Sequence, residues 1–267
     1  MSKPAKVIPI MSASAEVEDS AQFVSMYQKQ PTIYPRAVKG WFANWRWVFV
    51  WLTQLLFYGL PWLQWSGRQA VLFDLDAQRF YIFGLLLYPQ DLIFLAALLV
   101  LSALALFFFT AVAGRLWCGY TCPQTVYTEI FMWAERKIEG DRVARMRLDQ
   151  QPWRWSKIWR KGAKHSAWLS IALFTGFSFV GYFTPIRELA ADVASWNLSG
   201  WNAFWVLFYG AATYGNAGFL REQMCKYMCP YARFQSALID KDSLIITYDA
   251  KRGDPRGSRS RKADSAA

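Results

Sequence analysis

The chain has 267 residues, of which 54% are hydrophobic and 18% aromatic, and it carries a net charge of +11. That apolar and aromatic load excludes an ordinary soluble domain. The basic residues lie in blocks between apolar runs, so the charge points to a membrane surface rather than to nucleic acid.

Residues 1–40 are rich in Ser, Ala, Pro and Lys and lack the 7–15-residue apolar core of a signal peptide. They are expected to form a disordered cytoplasmic arm. Four charge-free apolar stretches follow, at residues 47–65, 92–113, 166–185 and 201–220. Each reaches about the 20 residues that a helix needs to cross a bilayer. Pro61 should kink the first stretch or mark its outer end. Residues 81–88 are apolar but too short to span, and read as an interfacial or re-entrant piece closed by Pro89. The fourth stretch carries Gly210, Gly215 and Gly218, which let a neighbouring helix approach closely. Residues 41–248 are therefore expected to be an all-α membrane domain of four helices. Residues 249–267 form a basic tail, expected to be disordered.

Lys and Arg placement orients these spans. The arm, the second loop and the tail are strongly basic, whereas the first loop holds only Arg68 and Arg79 and the third only Arg187. The positive-inside rule puts both termini and the second loop in the cytoplasm of a multi-pass protein.

Just past each inward-running span the same hexapeptide pattern occurs, C-x-Y-x-C-P, at residues 118–123 and 225–230. The chain therefore reads as two hairpin repeats, each ending in a cytoplasmic C-x3-C-P motif. Cys118, Cys122, Cys225 and Cys229 are the chain's full complement of cysteine. Thiolates are soft ligands that suit Cu(I), zinc and iron–sulfur clusters. One pair cannot hold a four-iron cluster, but two pairs together supply four ligands for one cluster or one tetrahedral metal, or for two separate Cu(I) sites. Convergence of the four thiols requires the two repeats to pack with approximate two-fold symmetry. Met224 and Met228, each directly before a cysteine, add two thioethers suited to Cu(I), although methionine more often simply packs.

A structural disulfide is disfavoured in the cytoplasm. Tyr120 and Tyr227 read either as packing around a metal or as interfacial anchors. His165, beside Lys164, reads as a headgroup-level residue without a specific task. The segment from Glu129 to Glu139 reads as a solvated amphipathic helix with Phe131, Met132 and Trp133 facing the membrane. No nucleotide-binding or hydrolase motif is present in the sequence.

Residues 114–129 with 135–140, Tyr88-Pro89-Gln90-Asp91, residues 225–235 and Tyr248-Asp249 resemble the cytochrome c oxidase accessory family CcoG, also called FixG or RdxA. The resemblance runs from about residue 34 to 262. It implies a bacterial inner-membrane protein that assists assembly of the cbb-type cytochrome c oxidase and reduces Cu(II) to Cu(I). It also implies copper and/or a [4Fe-4S] cluster at Cys118, Cys122, Cys225 and Cys229. The implied partners are the oxidase subunits and copper chaperones or transporters. Members of that family continue into a ferredoxin-like domain, whose eight cysteines do not occur in this sequence. The expectation is therefore a truncated member with its own activity in question. Two alternatives accompany it: a non-catalytic scaffold for oxidase assembly, and a quinol dehydrogenase similar to NapH, for which the sequence displays no quinone pocket.

Overall fold

The computed structural model describes residues 34–35, 38–240 and 243–244. The expected arm lies almost wholly outside these residues and the expected tail wholly so.

Helix α1 spans Trp41–Gly59 and stops where Pro61 begins a 3-10 turn, Leu60–Trp62. The helix thus sits about six residues earlier than the apolar stretch implied, because proline supplies no N–H to continue it. Helix α2, Leu92–Ala113, coincides with the second stretch. Its segment from Pro89 to Ala113 is, among the described residues, the one helix long and apolar enough by itself to cross a membrane. Short α3, Leu116–Tyr120, leads into α4, Pro123–Glu139, and α5, Arg142–Gln150. Helix α6, Trp155–Val180, starts eleven residues before the third stretch. After α7, Ile186–Ala194, helix α8 covers Gly200–Gly215 and ends in a π-helical turn, Asn216–Leu220. A second π-helical turn, Met224–Met228, precedes α9, Pro230–Leu238.

The first loop is not helical, so the all-α expectation needs correction there. Strands β1 (Gln64–Trp65) and β2 (Arg68–Gln69) form one antiparallel pair. Strands β3 (Val71–Asp74), β4 (Arg79–Ile82) and β5 (Leu85–Leu87) form an antiparallel sheet in the order β3-β4-β5. The segment 81–88 is thus part of a hairpin rather than an interfacial or re-entrant piece, and Pro89 opens the turn into α2 instead of closing that piece. Aromatic and branched residues in Val71-Leu72-Phe73 and Phe80-Tyr81-Ile82 suit paired strands. The sheet is latched to the end of α6: Phe73 N–H donates to Tyr182 O at 2.7 Å and Gln69 Nε2 to Gly181 O at 2.7 Å. Gln69 Oε1 in turn accepts from Ile186 N–H at 3.0 Å. The first and third loops therefore meet at one end of the helices.

Helices α6 and α8 pack closely because small residues face each other. A Cβ at Gly176 would collide with the Val206 carbonyl oxygen and lie 2.9 Å from Gly210 N. Helix α4 lies in the angle between α6 and the turn after α8. Phe131, Ala134, Trp168, Ala172 and Ala217 form the core there, and Trp168 Nε1 donates to Phe131 O at 3.1 Å. Phe131 is fully buried in protein, so the membrane-facing role expected for it is corrected.

Two of the charged residues of α4, Glu135 and Glu139, are also buried rather than solvated, whereas Lys137 is exposed as expected. Glu135 Oε2 meets Arg145 Nη1 at 3.0 Å and Arg221 Nη2 at 3.2 Å. Glu139 Oε1 meets Lys164 Nζ at 3.0 Å and Lys161 Nζ at 3.1 Å. Cations from α5, α6 and the α8 exit had no visible link to these carboxylates in sequence. Their convergence makes burial of the acids affordable, because a buried charge persists only when paired. Arg145 also donates to Pro35 O at 2.9 Å, and Arg46 pairs with Glu129 at 2.9 Å. The segment before α1 and the second loop thus meet at the end opposite the sheet.

Candidate metal centre

The two cysteine motifs are built alike. After α2, Gly114 turns the chain with φ 55, a conformation that glycine adopts without strain. Cys118 then lies in α3, and Cys122 is extended (φ −57, ψ 127) before Pro123, the first residue of α4. In the second copy Arg221 turns the chain with φ 34, Cys225 lies in the π-helical turn, and Cys229 is extended (φ −80, ψ 110) before Pro230, the first residue of α9. A residue before proline avoids the helical region, and proline suits the first helical position, so each C-P step ends one helix and starts another. Cys122 N–H donates to Trp117 O at 3.0 Å and Cys229 N–H to Met224 O at 2.8 Å. Both bonds reach the carbonyl just before the first cysteine of the motif, so the two pairs share one backbone device.

The copies are also tied to each other. Gln124, just after the first motif, donates from Nε2 to Asn216 O at 2.9 Å and to Arg221 O at 3.2 Å on the approach to the second. Gln235, in the helix after the second motif, donates from Nε2 to Cys118 Sγ at 3.1 Å in the first. Thr125 Oγ1 donates to Cys118 O at 2.6 Å. Arg221 reaches back along its own turn to Ala217 O and Gly218 O, and across to Glu135.

The four thiols lie within electrostatic reach of one another. Cys118 feels Cys122, Cys225 and Cys229, and Cys225 feels Cys122 and Cys229. Burial pushes the Cys118 thiol up, the Gln235 hydrogen bond opposes that, and the other sulfurs add to it. Cys225 is also pushed up by burial and by the neighbouring thiols, with Arg115 pulling the other way. All four are free thiols; Cys225 is exposed and the other three are half-buried. Among the described residues no three His, Cys, Asp or Glu side chains are gathered tightly enough for a single metal ion.

Of the other residues singled out in sequence, Met224 is half-buried and Met228 and Tyr227 are exposed. Tyr120 packs edge-on against Phe49 of α1, with ring centroids 5.8 Å apart. His165 does have a specific contact, from Nδ1 to the Tyr214 hydroxyl at 2.9 Å, and stacks on Phe219. Sequence reasoning missed Gln124, Thr125, Gln235 and Glu135 as parts of the site. Only the place of Gln124 and Thr125 directly after the Cys-Pro step hinted at the first two.

This donor set fits an iron–sulfur group in its chemistry: four sulfurs and a hydrogen-bond donor already aimed at one of them. Raised thiols stay protonated until a thiophilic cation takes the protons' place.

Comparison with known proteins returns the same chemistry. A family described as a 4Fe-4S binding domain matches residues 95–140, and one described as a 4Fe-4S dicluster domain matches residues 220–267. The chain is 40% identical over 246 residues to the nitrogen fixation protein FixG of Rhizobium meliloti, a match covering 90% of this chain and 47% of FixG. It is 40% identical over 242 residues to protein RdxA of Cereibacter sphaeroides, covering 88% of this chain and 51% of RdxA. Protein RdxB of the same organism is 39% identical over 241 residues, with 88% and 50% covered. The chain thus spans about half the length of the curated relatives it matches. No solved structure matches.

Proposed function

We propose, on the premise that the chain belongs to the FixG/RdxA family, that it is a membrane electron-transfer domain with an iron–sulfur cluster held by Cys118, Cys122, Cys225 and Cys229. The observation that carries this reading is the crossing of the two motifs: Gln235 beyond the second binds the sulfur of Cys118 in the first. Four thiols in mutual range, yet not drawn to one point, suit a [4Fe-4S] cluster, whose cysteines bind separate irons, better than one tetrahedral ion.

Such a cluster supplies one-electron transfer when bound. The chain's own residues do the rest. The Cys-Pro steps fix the direction of two thiols, and the Glu135–Arg221 pair holds the second motif against α4. The Gln235 N–H, pointing at sulfur, favours the more negative, reduced state.

Four spans with both termini in the cytoplasm of a bacterium is the reading of topology we carry forward. It is supported by the basic segments meeting at one end of the helices and the basic-poor loops at the other. The electrons serve, on this reading, to reduce Cu(II) as substrate to Cu(I) during assembly of a cbb-type oxidase. Its subunits and the copper carriers are then the partners.

Anaerobically purified protein should contain iron and acid-labile sulfide in equal amounts, both lost when the four cysteines become serine. Copper without sulfide, lost in the same variant, would replace the cluster by a thiolate Cu(I) site, with Met224 and Met228 as further candidate ligands. Neither metal in either protein would leave the scaffold reading standing.

A further inference from the structure

Two cavities lie side by side among α1, α4, α6 and α8, and Gln54 lines both. The larger, about 560 Å³, is walled by apolar and aromatic side chains that include Trp47, Trp51, Leu55, Trp133 and Phe174. Trp51 and Leu55 at its lip are 68% and 70% exposed, so it opens toward the outer face of the helices. The smaller, about 330 Å³, is where the polar groups are: Gln54, Tyr127 and Thr175. Both volumes fall within the range of about 300–1,000 Å³ usual for small-molecule sites.

Gln54 is only 8% exposed, and its Oε1 has no hydrogen-bond partner. A buried acceptor left open inside an apolar domain needs an explanation, and a bound donor is the direct one. Two of the neighbouring hydroxyls, those of Thr175 and Tyr58, do not supply it. Thr175 Oγ1 donates to Ile171 O at 2.8 Å, so the Tyr58 hydroxyl, 2.8 Å from Thr175 Oγ1, spends its proton there. The Tyr127 phenol interacts with Tyr58, Thr175 and Gln54 and completes a polar cluster at the junction of the two cavities. The smaller cavity is also walled by Thr121 and Pro123, the residues on either side of Cys122.

We infer that these joined cavities bind a lipid-soluble quinol, its ring at Gln54 and Tyr127 and its tail in the larger cavity. A ring hydroxyl gives Gln54 Oε1 the donor it lacks, and an acyl chain has none to give. Aromatic walls suit a flat ring, and the open lip lets a hydrocarbon tail pass between the cavity and the bilayer. The site then abuts the first cysteine motif. Oxidation of one quinol to the quinone releases two electrons and two protons; a one-electron iron–sulfur centre would pass the electrons on singly, two Cu(II) becoming two Cu(I) under the proposed function, and the protons would leave to water. That donor role rests on the proposed function, whereas quinol binding does not.

The test uses the full chain in nanodiscs, kept anaerobic, titrated with decylubiquinol and read by tryptophan fluorescence, since Trp47, Trp51 and Trp133 line the site. Saturable quenching is expected, weakened at least tenfold by Gln54→Leu. Decylbenzene, with the same tail and no hydroxyl, should not compete. Equal competition by decylbenzene, or unchanged affinity in Gln54→Leu, would overturn the assignment in favour of a lipid chain. Should Gln54→Leu fail to fold, Tyr127→Phe, which removes one hydroxyl, is held to the same criterion. The variant with all four cysteines changed to serine should bind decylubiquinol as the parent does. If it does, while the parent protein holds no metal, the electron-transfer reading falls and the quinol site stands.

Discussion

Gln235 of α9 donates a hydrogen bond to the sulfur of Cys118, 3.1 Å away, from a side chain only 2% exposed. Gln124 makes the reciprocal crossing to the carbonyls of Asn216 and Arg221. Each cysteine motif is thus held by a residue that follows the other. A change in either glutamine should be felt in the copy to which it does not belong.

Gln235→Leu should leave the protein folded, at a cost of about 1 kcal/mol for the lost hydrogen bond. Without an N–H on sulfur, the reduction potential of a bound cluster should move in the negative direction. Potentiometric titration followed by electron paramagnetic resonance reads this. An unchanged potential would mean that Gln235 is only packing.

Glu135 sits among three cations, Arg145, Lys164 and Arg221. Glu135→Gln leaves buried Arg145 and half-buried Arg221 without their carboxylate, while Lys164 keeps Glu139, and should cost about 3–5 kcal/mol. Arg221→Ala leaves Arg145 and Lys164 on the carboxylate and should cost less, about 1–3 kcal/mol. Thermal unfolding in detergent ranks the two variants. The reverse ranking would show that Arg221 matters mainly as the backbone turn.

Gly176→Ala should separate α6 from α8, because the new methyl meets the backbone of Val206 and Gly210 rather than a movable side chain. The expected loss is about 1–3 kcal/mol. Gly215→Ala is the control: a Cβ there has nothing within 4 Å, and the helix gains about 0.5–1 kcal/mol from the better former. Unfolding midpoints of the two variants should move in opposite directions.

The Cys118 and Cys225 thiols are raised above their ordinary value of 9.0. In metal-free protein both are therefore protonated at neutral pH. Iodoacetamide should modify exposed Cys225 slowly at pH 7 and faster only as the pH climbs past 9. Metal binding must displace those protons, so a bound cluster should be lost on acidification rather than on alkalinisation. Mass spectrometry of the alkylated peptide and the visible absorbance report the two trends.

Burial, and then the adjacent Lys164, hold the His165 pKa below 6.5. The unfolded chain therefore takes up a proton at a higher pH than the folded one does. The stability linked to this group is present above pH 6.5 and is lost as the pH falls from 6.5 through the folded value. His165→Phe should flatten that part of the stability–pH curve, measured by unfolding from pH 7.5 downward. An unchanged curve in His165→Phe would mean that burial and Lys164 do not hold this group below its ordinary value.

Several features were legible in the chain without coordinates because they depend on local chemistry. Cys-Pro steps start helices because proline favours their first position, as Pro123 and Pro230 show. Pro61 ended α1, and the run of Leu, Ala and Phe in 92–113 made a helix at its expected bounds. Gly210 and Gly218 were readable as contact points, and their Cβ positions do face Leu173 and Trp168, whereas Gly215, read in the same way, has open space at its Cβ position. The pairing of four cysteines into two matched motifs, and hence a sulfur-ligand chemistry, was also visible in the letters.

What the letters could not decide is which face of an element another element covers. Phe131 read as lipid-facing and Glu135 and Glu139 as solvated, yet all three are buried, because α6 and the turn after α8 close over α4. Residues 81–88 read as a membrane piece by hydropathy, but their partners in β3 made them strands. The approach of Gln235 to Cys118 joins positions 117 residues apart, and no local pattern encodes it. Propensity and capping act within a few residues of the chain, so sequence by itself marked where α2 runs, where proline starts or stops a helix, and which residues could serve as sulfur ligands. Burial, charge pairing and the meeting of the two motifs arise between distant segments, so only the tertiary structure decided them.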